Sequence, residues 1–354
     1  IVIGVRMKNL LKDLKEALSL KRRHGSLTEA AYVASLAKRL GPTMVDGAGN
    51  LHFDRREDHS RTLFVAHTDT VSQGEGANPI IIDGDWWCSA PNSTLGADDG
   101  AGIALLLHLM RHKVPGYYIL CRAEEVGGQG STYLADEHRE LLSEFDRAIA
   151  FDRRGVSSVI THQGTRCCSD EFGEALANAL SNDLLLYATD PTGIFTDTAN
   201  FVDIIPECTN ISCGYEKEHS DKERLNVKHL KMLAQQIVKI DWESLPTKRD
   251  PKKGEYPSYK NSWSSKWSDT YMFDDAPLRS DVASEYSKTL MSDLKAALEL
   301  AEFGYYADLN DVLSKERATP VKVTKFEDSQ YYLSELLAGE DPYEVIDQIY
   351  WSIR

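Results

Sequence analysis

Positive charge is scarce in this chain, with 40 Lys and Arg against 55 Asp and Glu for a net charge of −15. That balance repels a phosphate backbone and sets nucleic acid aside as a partner. Long apolar runs are missing too. The longest, around 102–107, stops at His108, well short of the ~20 residues a membrane span requires, so no membrane is expected as a partner. Cysteine is sparse, six in 354 residues, with no C-x-x-C pair and no secretory apolar segment at the start. A reduced cytoplasm is therefore the expected compartment. No repeat of 20–50 residues is visible, which excludes solenoids and propellers. Residues 1–6 precede the first methionine, Met7, and are set aside from the fold reading.

What is present has the periodicity of an α/β chain. Apolar residues recur at helical spacing through 9–40 (Leu10, Leu11, Leu14, then Ala31, Val33, Leu36, Leu40), broken at His24-Gly25-Ser26, which reads as two helices. Turn residues between short apolar runs across 44–53 signal a hairpin. Buried strands are expected at 62–66, 117–121, 147–151, 184–187 and 208–212, and helices at 100–112, 131–142, 170–180 and 225–240. This alternation predicts an α/β fold with a mixed, mostly parallel central sheet and helices on both faces. Composition shifts after Leu245: 246–280 is rich in Lys, Ser, Tyr, Pro and Trp without a period and reads as a linker or surface strap. A mainly helical C-terminal extension is expected over 281–354, with helices at 284–303 and 341–353. The expected division is thus 7–245, 246–280 and 281–354, the last two packing on the first or on a second subunit so as to restrict entry to its crevice.

Five segments place metal-type ligands just past predicted strands. His67-Thr68-Asp69 follows the strand at 62–66. Residues two apart on an extended chain project to the same side, so His67 can bind a metal while Asp69 orients its second ring nitrogen. Asp98-Asp99 opens a helix within Leu95-Gly96-Ala97-Asp98-Asp99-Gly100-Ala101-Gly102, where a carboxylate with two free oxygens could bridge two cations. Glu124-Glu125 offers one carboxylate to a metal and its neighbour to a water. Asp152 ends the strand at 147–151, and His219, with Glu223 four positions on, lies past the strand at 208–212. Open α/β sheets bind ligands outside the carboxyl ends of their strands, so these segments can converge on one crevice. Each segment alone has an ordinary explanation in solvated pairs, exposed charge runs or helix-dipole compensation. Their order and context together point to a site.

In that order the motifs resemble the co-catalytic di-zinc exopeptidases, the group that holds zinc aminopeptidases, peptidase T and related amidohydrolases, over about 7–245. The resemblance implies that His67, Asp98 and Asp152 hold one metal and that Asp98 bridges to a second held by Glu125 and His219. It implies Glu124 as general base, Asp69 as the carboxylate behind His67, and a cis peptide between Asp98 and Asp99. The cofactors implied are two divalent metal ions, zinc first, with Mn or Co admitted. Leu95 to Asp99 looks most like the peptidase T subgroup. Only 67 positions separate Asp152 from His219, however, too few for the lid or dimerisation domain that peptidase T inserts there, so a compact aminopeptidase architecture is expected. The implied function is hydrolysis of a peptide or small amide, an aminopeptidase first, with a homo-oligomer as an open expectation. A deacylase with the same site and a non-catalytic binding protein on the same fold are the alternatives, and a spare carboxylate at Glu124 argues against the latter.

The remaining candidates have plainer readings. His162 is the histidine outside this set best placed to act as a pocket donor. Arg153 and Arg154 read as charge balance beside an acidic site ahead of a grip on a substrate carboxylate. Cys167-Cys168 read as two small buried hydrophobes. The stretch from Thr196 to Phe201 reads as an ordinary helix cap by Asp197 or Thr198, or by the resemblance as substrate wall, and Trp263 and Trp267 as packing residues.

Overall fold

The computed structural model describes residues 2–57 and 59–253. The extension expected over 281–354, the helices within it, Trp263, Trp267 and most of the strap expected at 246–280 lie outside the described residues.

Two helices open the chain, α1 (Val2–Leu18) and α2 (Leu27–Leu40). The Ser26 hydroxyl accepts the Glu29 amide and so starts α2, while Gly41, in the left-handed region at φ 59°, ends it. Then come β1 (Met44–Val45), β2 (Leu51–Arg55), β3 (Thr62–His67), β4 (Ile80–Asp83), β5 (Trp86–Ser89), α3 (Ala97–Arg111) and β6 (Gly116–Cys121). Next are α4 (Gln129–Glu137), α5 (Arg139–Leu142), β7 (Arg147–Arg153), β8 (Ser158–Ile160), β9 (His162–Gln163), β10 (Thr165–Arg166) and α6 (Asp170–Leu180). The remainder is β11 (Ala188–Asp190), a 3-10 turn at Asp197–Phe201, β12 (Glu207–Ser212), β13 (Tyr215–Glu216), β14 (Arg224–Asn226) and α7 (Val227–Ile237).

Eight strands form one sheet in the order β1-β2-β6-β3-β7-β12-β8-β11. Its centre, β6-β3-β7-β12, is parallel, as is the β8/β11 pair, whereas β1/β2, β2/β6 and β8/β12 are antiparallel. Side chains alternate across it with period two. Phe64, Ala66, Tyr118, Leu120, Ile149 and Phe151 enter a core shared with α1, α3 and α7. Leu63, Val65, Tyr117, Ile119 and Ala148 enter a second core with Leu134, Leu142 and Phe201 on the other face. Because both faces are covered, the central strands read in sequence as continuous apolar runs. Helix α3 is buried from Ala97 to Leu109 between the sheet, α1 and α7, so it shows no polar face.

Some elements differ from expectation for local reasons. The strand predicted at 184–187 is a tight turn. The Asn182 side-chain oxygen accepts the Leu184 and Leu185 amides at 2.8 and 3.1 Å, leaving Leu184 and Leu186 exposed, and the strand starts only at Ala188. The helix predicted at 131–142 is divided at His138 into α4 and α5. The one predicted at 225–240 starts at Val227, because Arg224–Asn226 pair with β5 and Asn226 caps α7. A four-stranded antiparallel sheet, β13-β14-β5-β4, has no counterpart among the expected strands. Of the expected strap, 246–253 is described and begins tied to the domain: the Lys248 and Arg249 amides reach Glu207 Oε1 at 2.6 and 3.1 Å. Among the described residues no helix is long and apolar enough to cross a membrane.

Candidate metal centre

Three adjacent parallel strands end side by side, and the segments leaving them carry a cluster of ionisable groups. His67 is the last residue of β3 and stands in register with Cys121 at the end of β6. Glu124 and Glu125 follow in the turn after β6, and Asp152 lies near the end of β7. Asp98 comes from the kinked start of α3, where the Asp98–Asp99 peptide is cis and both residues depart from helical φ/ψ. His219 arrives from the loop between β13 and β14.

Asp98 stands at the centre of the cluster. Its Oδ1 is 3.0 Å from His67 Nε2, and its Oδ2 is 3.1 Å from His219 Nε2. Asp152 Oδ1 lies 3.6 Å from His67 Nε2, and Glu125 Oε2 lies 3.1 Å from His219 Nε2. Two donor sets result, His67/Asp98/Asp152 and Asp98/Glu125/His219, in each of which the ligand atoms fall within 4.8 Å of one another. They share Asp98 through different oxygens. His67, Glu124 and Glu125 form a further grouping within the same limit, with Glu124 Oε2 3.9 Å from His67 Nε2.

Buried partners hold these side chains in place. The His67 ring meets the Asp69 backbone carbonyl through Nδ1 at 3.2 Å, with Asp69 Oδ1 3.5 Å away, and the two carboxylate oxygens accept the Glu124 and Glu125 amides at 3.1 and 3.2 Å, so one residue aligns both the ring and the acidic turn. Asp99 accepts the His67 amide at 3.2 Å and the Gly102 amide at 2.9 Å. A Cβ at Gly102 would fall 2.3 Å from Asp99 Oδ1, so glycine is required there. Asp152 takes hydrogen bonds from Thr196 Oγ1 at 2.7 Å and the Tyr215 hydroxyl at 3.1 Å, and Asn210 clamps its backbone.

Acid outnumbers base in this pocket. Burial, reinforced by neighbouring carboxylates, pushes Glu124 up to about 10 and Asp152 up to about 7, and burial raises Asp197 to about 6. Asp98 moves the other way: burial opposes its charge, but hydrogen bonds from His219 and His67 outweigh it and hold it below the ordinary carboxylate range. Hydrogen bonds to Asp98 and then Glu125 raise His219 to about 11. Burial works against a charged His67, yet Asp152 and the other carboxylates keep its pKa well above the usual imidazole value. Glu125 Oε1 is buried with no hydrogen-bond partner among the described residues. Such an oxygen costs roughly 1–3 kcal/mol if nothing meets it, and a bound cation would meet it. Carboxylate oxygens with one imidazole per donor set suit Zn²⁺ and admit Mn²⁺ or Co²⁺. The residues present therefore fit a pair of divalent cations.

No family model and no curated protein matches this sequence. Solved structures do match. Aminopeptidase PepT from Bacillus cereus aligns with a TM-score of 0.54 at 16% identity, over 66% of this chain and 97% of that one. A tripeptidase from Staphylococcus aureus aligns with a TM-score of 0.56 at 16% identity, over 66% of this chain and 96% of that one. The fold is that of the zinc exopeptidases. At this identity the likeness is one of fold, and that fold agrees with the mixed, mostly parallel α/β fold class expected from the sequence.

The other candidates fall outside the cluster. Arg153 donates to the Thr192 carbonyl and hydroxyl, and Arg154 pairs with Glu218 at 3.1 Å, so both have internal partners. His162 is half-buried with Nδ1 2.9 Å from Thr161 Oγ1 and joins none of the donor groups among the described residues. Cys167 and Cys168 are buried free thiols. Asp197 opens the 3-10 turn and does not cap it, since Thr196 holds the cap position and makes no side-chain cap bond; Asp197 is 1% exposed with Oδ1 unpartnered among the described residues. Tyr215 and Asn210, both on Asp152, carry no signal in the sequence.

Proposed function

We propose that this chain is a metal-dependent exopeptidase, an aminopeptidase that holds two divalent cations, zinc by preference. The observation that carries the reading is the division of Asp98, with Oδ1 3.0 Å from His67 and Oδ2 3.1 Å from His219. His67, Asp98 and Asp152 would hold one cation, and Asp98, Glu125 and His219 the other. When bound, such a pair polarises a scissile carbonyl and acidifies the attacking water. Glu124 belongs to neither of these sets, and its Oε2 would take the proton from that water and deliver it to the leaving amine. Asp69 keeps the two tasks in register, since it holds the His67 ring and the Glu124 amide together. The fold shared with an aminopeptidase and a tripeptidase supports a peptide or small amide as substrate. A cytoplasmic location and self-association into a homo-oligomer belong to the same proposal.

Substrate panels test it. Zinc-loaded protein is expected to turn over aminoacyl amides and short peptides with free amino termini; turnover of N-acyl substrates alone would move the chain to the deacylases. Glu124→Gln keeps the side chain's shape but cannot accept a proton, and should lower kcat by ~10² to 10⁴. Full turnover by that variant would remove Glu124 from the mechanism.

A further inference from the structure

Glu223 stands apart from both donor sets, yet it is 1% exposed and bonded to the turn that carries the shared ligand. Its Oε2 accepts the Gly96 amide at 2.9 Å, and its Oε1 accepts the Ala97 amide at 2.7 Å and the Asp98 amide at 3.2 Å. These amides need an outside acceptor. They begin α3, where Gly96 offers no side-chain cap and the non-helical φ/ψ of Asp98 and Asp99 interrupts the helix. Glu223 is itself fixed at both backbone groups, its N–H on the Ser220 carbonyl at 3.2 Å and its carbonyl on the Ser89 amide at 3.0 Å. It lies four residues past His219, on the segment that leads from that ligand into β14.

The same turn is gripped from its other side by a cation. Arg22 is fully buried; its Nη2 donates to the Gly96 carbonyl at 3.0 Å, and its Nη1 donates to the Thr68 carbonyl, between His67 and Asp69. The peptide planes leading to Asp98 are thus set by a carboxyl group on their N–H groups and a guanidinium on a carbonyl. Those planes fix the direction of the Asp98 side chain.

We infer that Glu223 is a positioning residue that aims the two oxygens of Asp98 at two cations, coupling both donor sets to one buried carboxylate. The inference rests on the proposed two-cation site. It differs in its consequence from loss of a ligand: a ligand of one set weakens one cation, whereas Glu223, acting through the shared aspartate, weakens both.

Zinc titration of the full chain, followed by calorimetry or equilibrium dialysis, tests this. In Glu223→Gln one acceptor oxygen becomes an N–H donor facing backbone donors. Both zinc affinities are expected to fall ten- to a hundredfold, the usual scale for a partner behind the ligands, whereas His219→Ala should lose one site and spare the other. Glu223→Asp keeps the charge but is one methylene too short to reach all three amides, and should weaken both sites as well; it serves if the glutamine variant does not fold. Thermal melting of the metal-free forms supplies the second readout. Two wild-type affinities in either folded variant, with only the melting temperature lowered, would make Glu223 structural and overturn the inference alone. Wild-type protein that binds no zinc would overturn the two-cation reading and this inference with it.

Discussion

His229 shows how one buried imidazole can lower stability in acid without joining the candidate metal centre. It lies on α7, 4% exposed, with Nε2 3.0 Å from the Tyr187 hydroxyl, and burial pushes its pKa from 6.5 down to about 4. An unfolded chain protonates this histidine near 6.5, and the native chain does so only near 4. Stability from this residue is therefore complete above pH 6.5 and drains away as pH falls toward 4, by about 3 kcal/mol in all. His229→Gln should flatten the dependence of urea-denaturation stability on pH across that window; a slope equal to wild type would clear His229 of the effect. Within the candidate metal centre, legibility followed chemistry. His67, Asp98, Glu124, Glu125, Asp152 and His219 could be picked out because each residue type carries a role of its own and each follows a predicted strand or, for Asp98, opens a predicted helix. Tyr215 and Asn210 could not, because a neutral side chain that reaches Asp152 from 63 or 58 positions away leaves no local pattern.

Elements were legible where burial on both faces or a clear cap made them so. The strands at 62–66, 117–121, 147–151 and 208–212 are central and apolar, and each lies where expected to within a residue or two. The run from Leu184 to Tyr187 was as apolar, but the Asn182 turn captured its amides first. The β4/β5 hairpin did carry a signal, Asp83-Gly84-Asp85 between two short runs, with Gly84 at φ 58°. At α2 the start is set by one hydroxyl, Ser26, whose Oγ accepts the Glu29 amide at 3.1 Å, while Glu29 is held by Arg122 just past β6. Ser26→Ala should cost about 1 kcal/mol and leave zinc content unchanged. Paired urea melts and metal assays would show this, and loss of zinc would mean that the cap also holds the turn after β6 in place.

Taken as a whole molecule, the chain carries its charge of −15 with an acid-rich pocket at one end of its main sheet. Buried carboxylates at that density must be protonated or paired with cations, and two divalent cations held by these carboxylates and the two imidazoles would supply four positive charges. The compact spacing between Asp152 and His219 is filled by sheet and helix elements from β8 to β13. Zinc counted per chain in wild type, Glu124→Gln and Glu125→Ala, by mass spectrometry of the purified proteins, tests the central claim most directly. Two zinc ions are predicted in wild type and in Glu124→Gln, and fewer in Glu125→Ala, because that change leaves one cation with only Asp98 and His219 from its set. One or no zinc in wild type, or zinc lost from Glu124→Gln while Glu125→Ala keeps both, would contradict it.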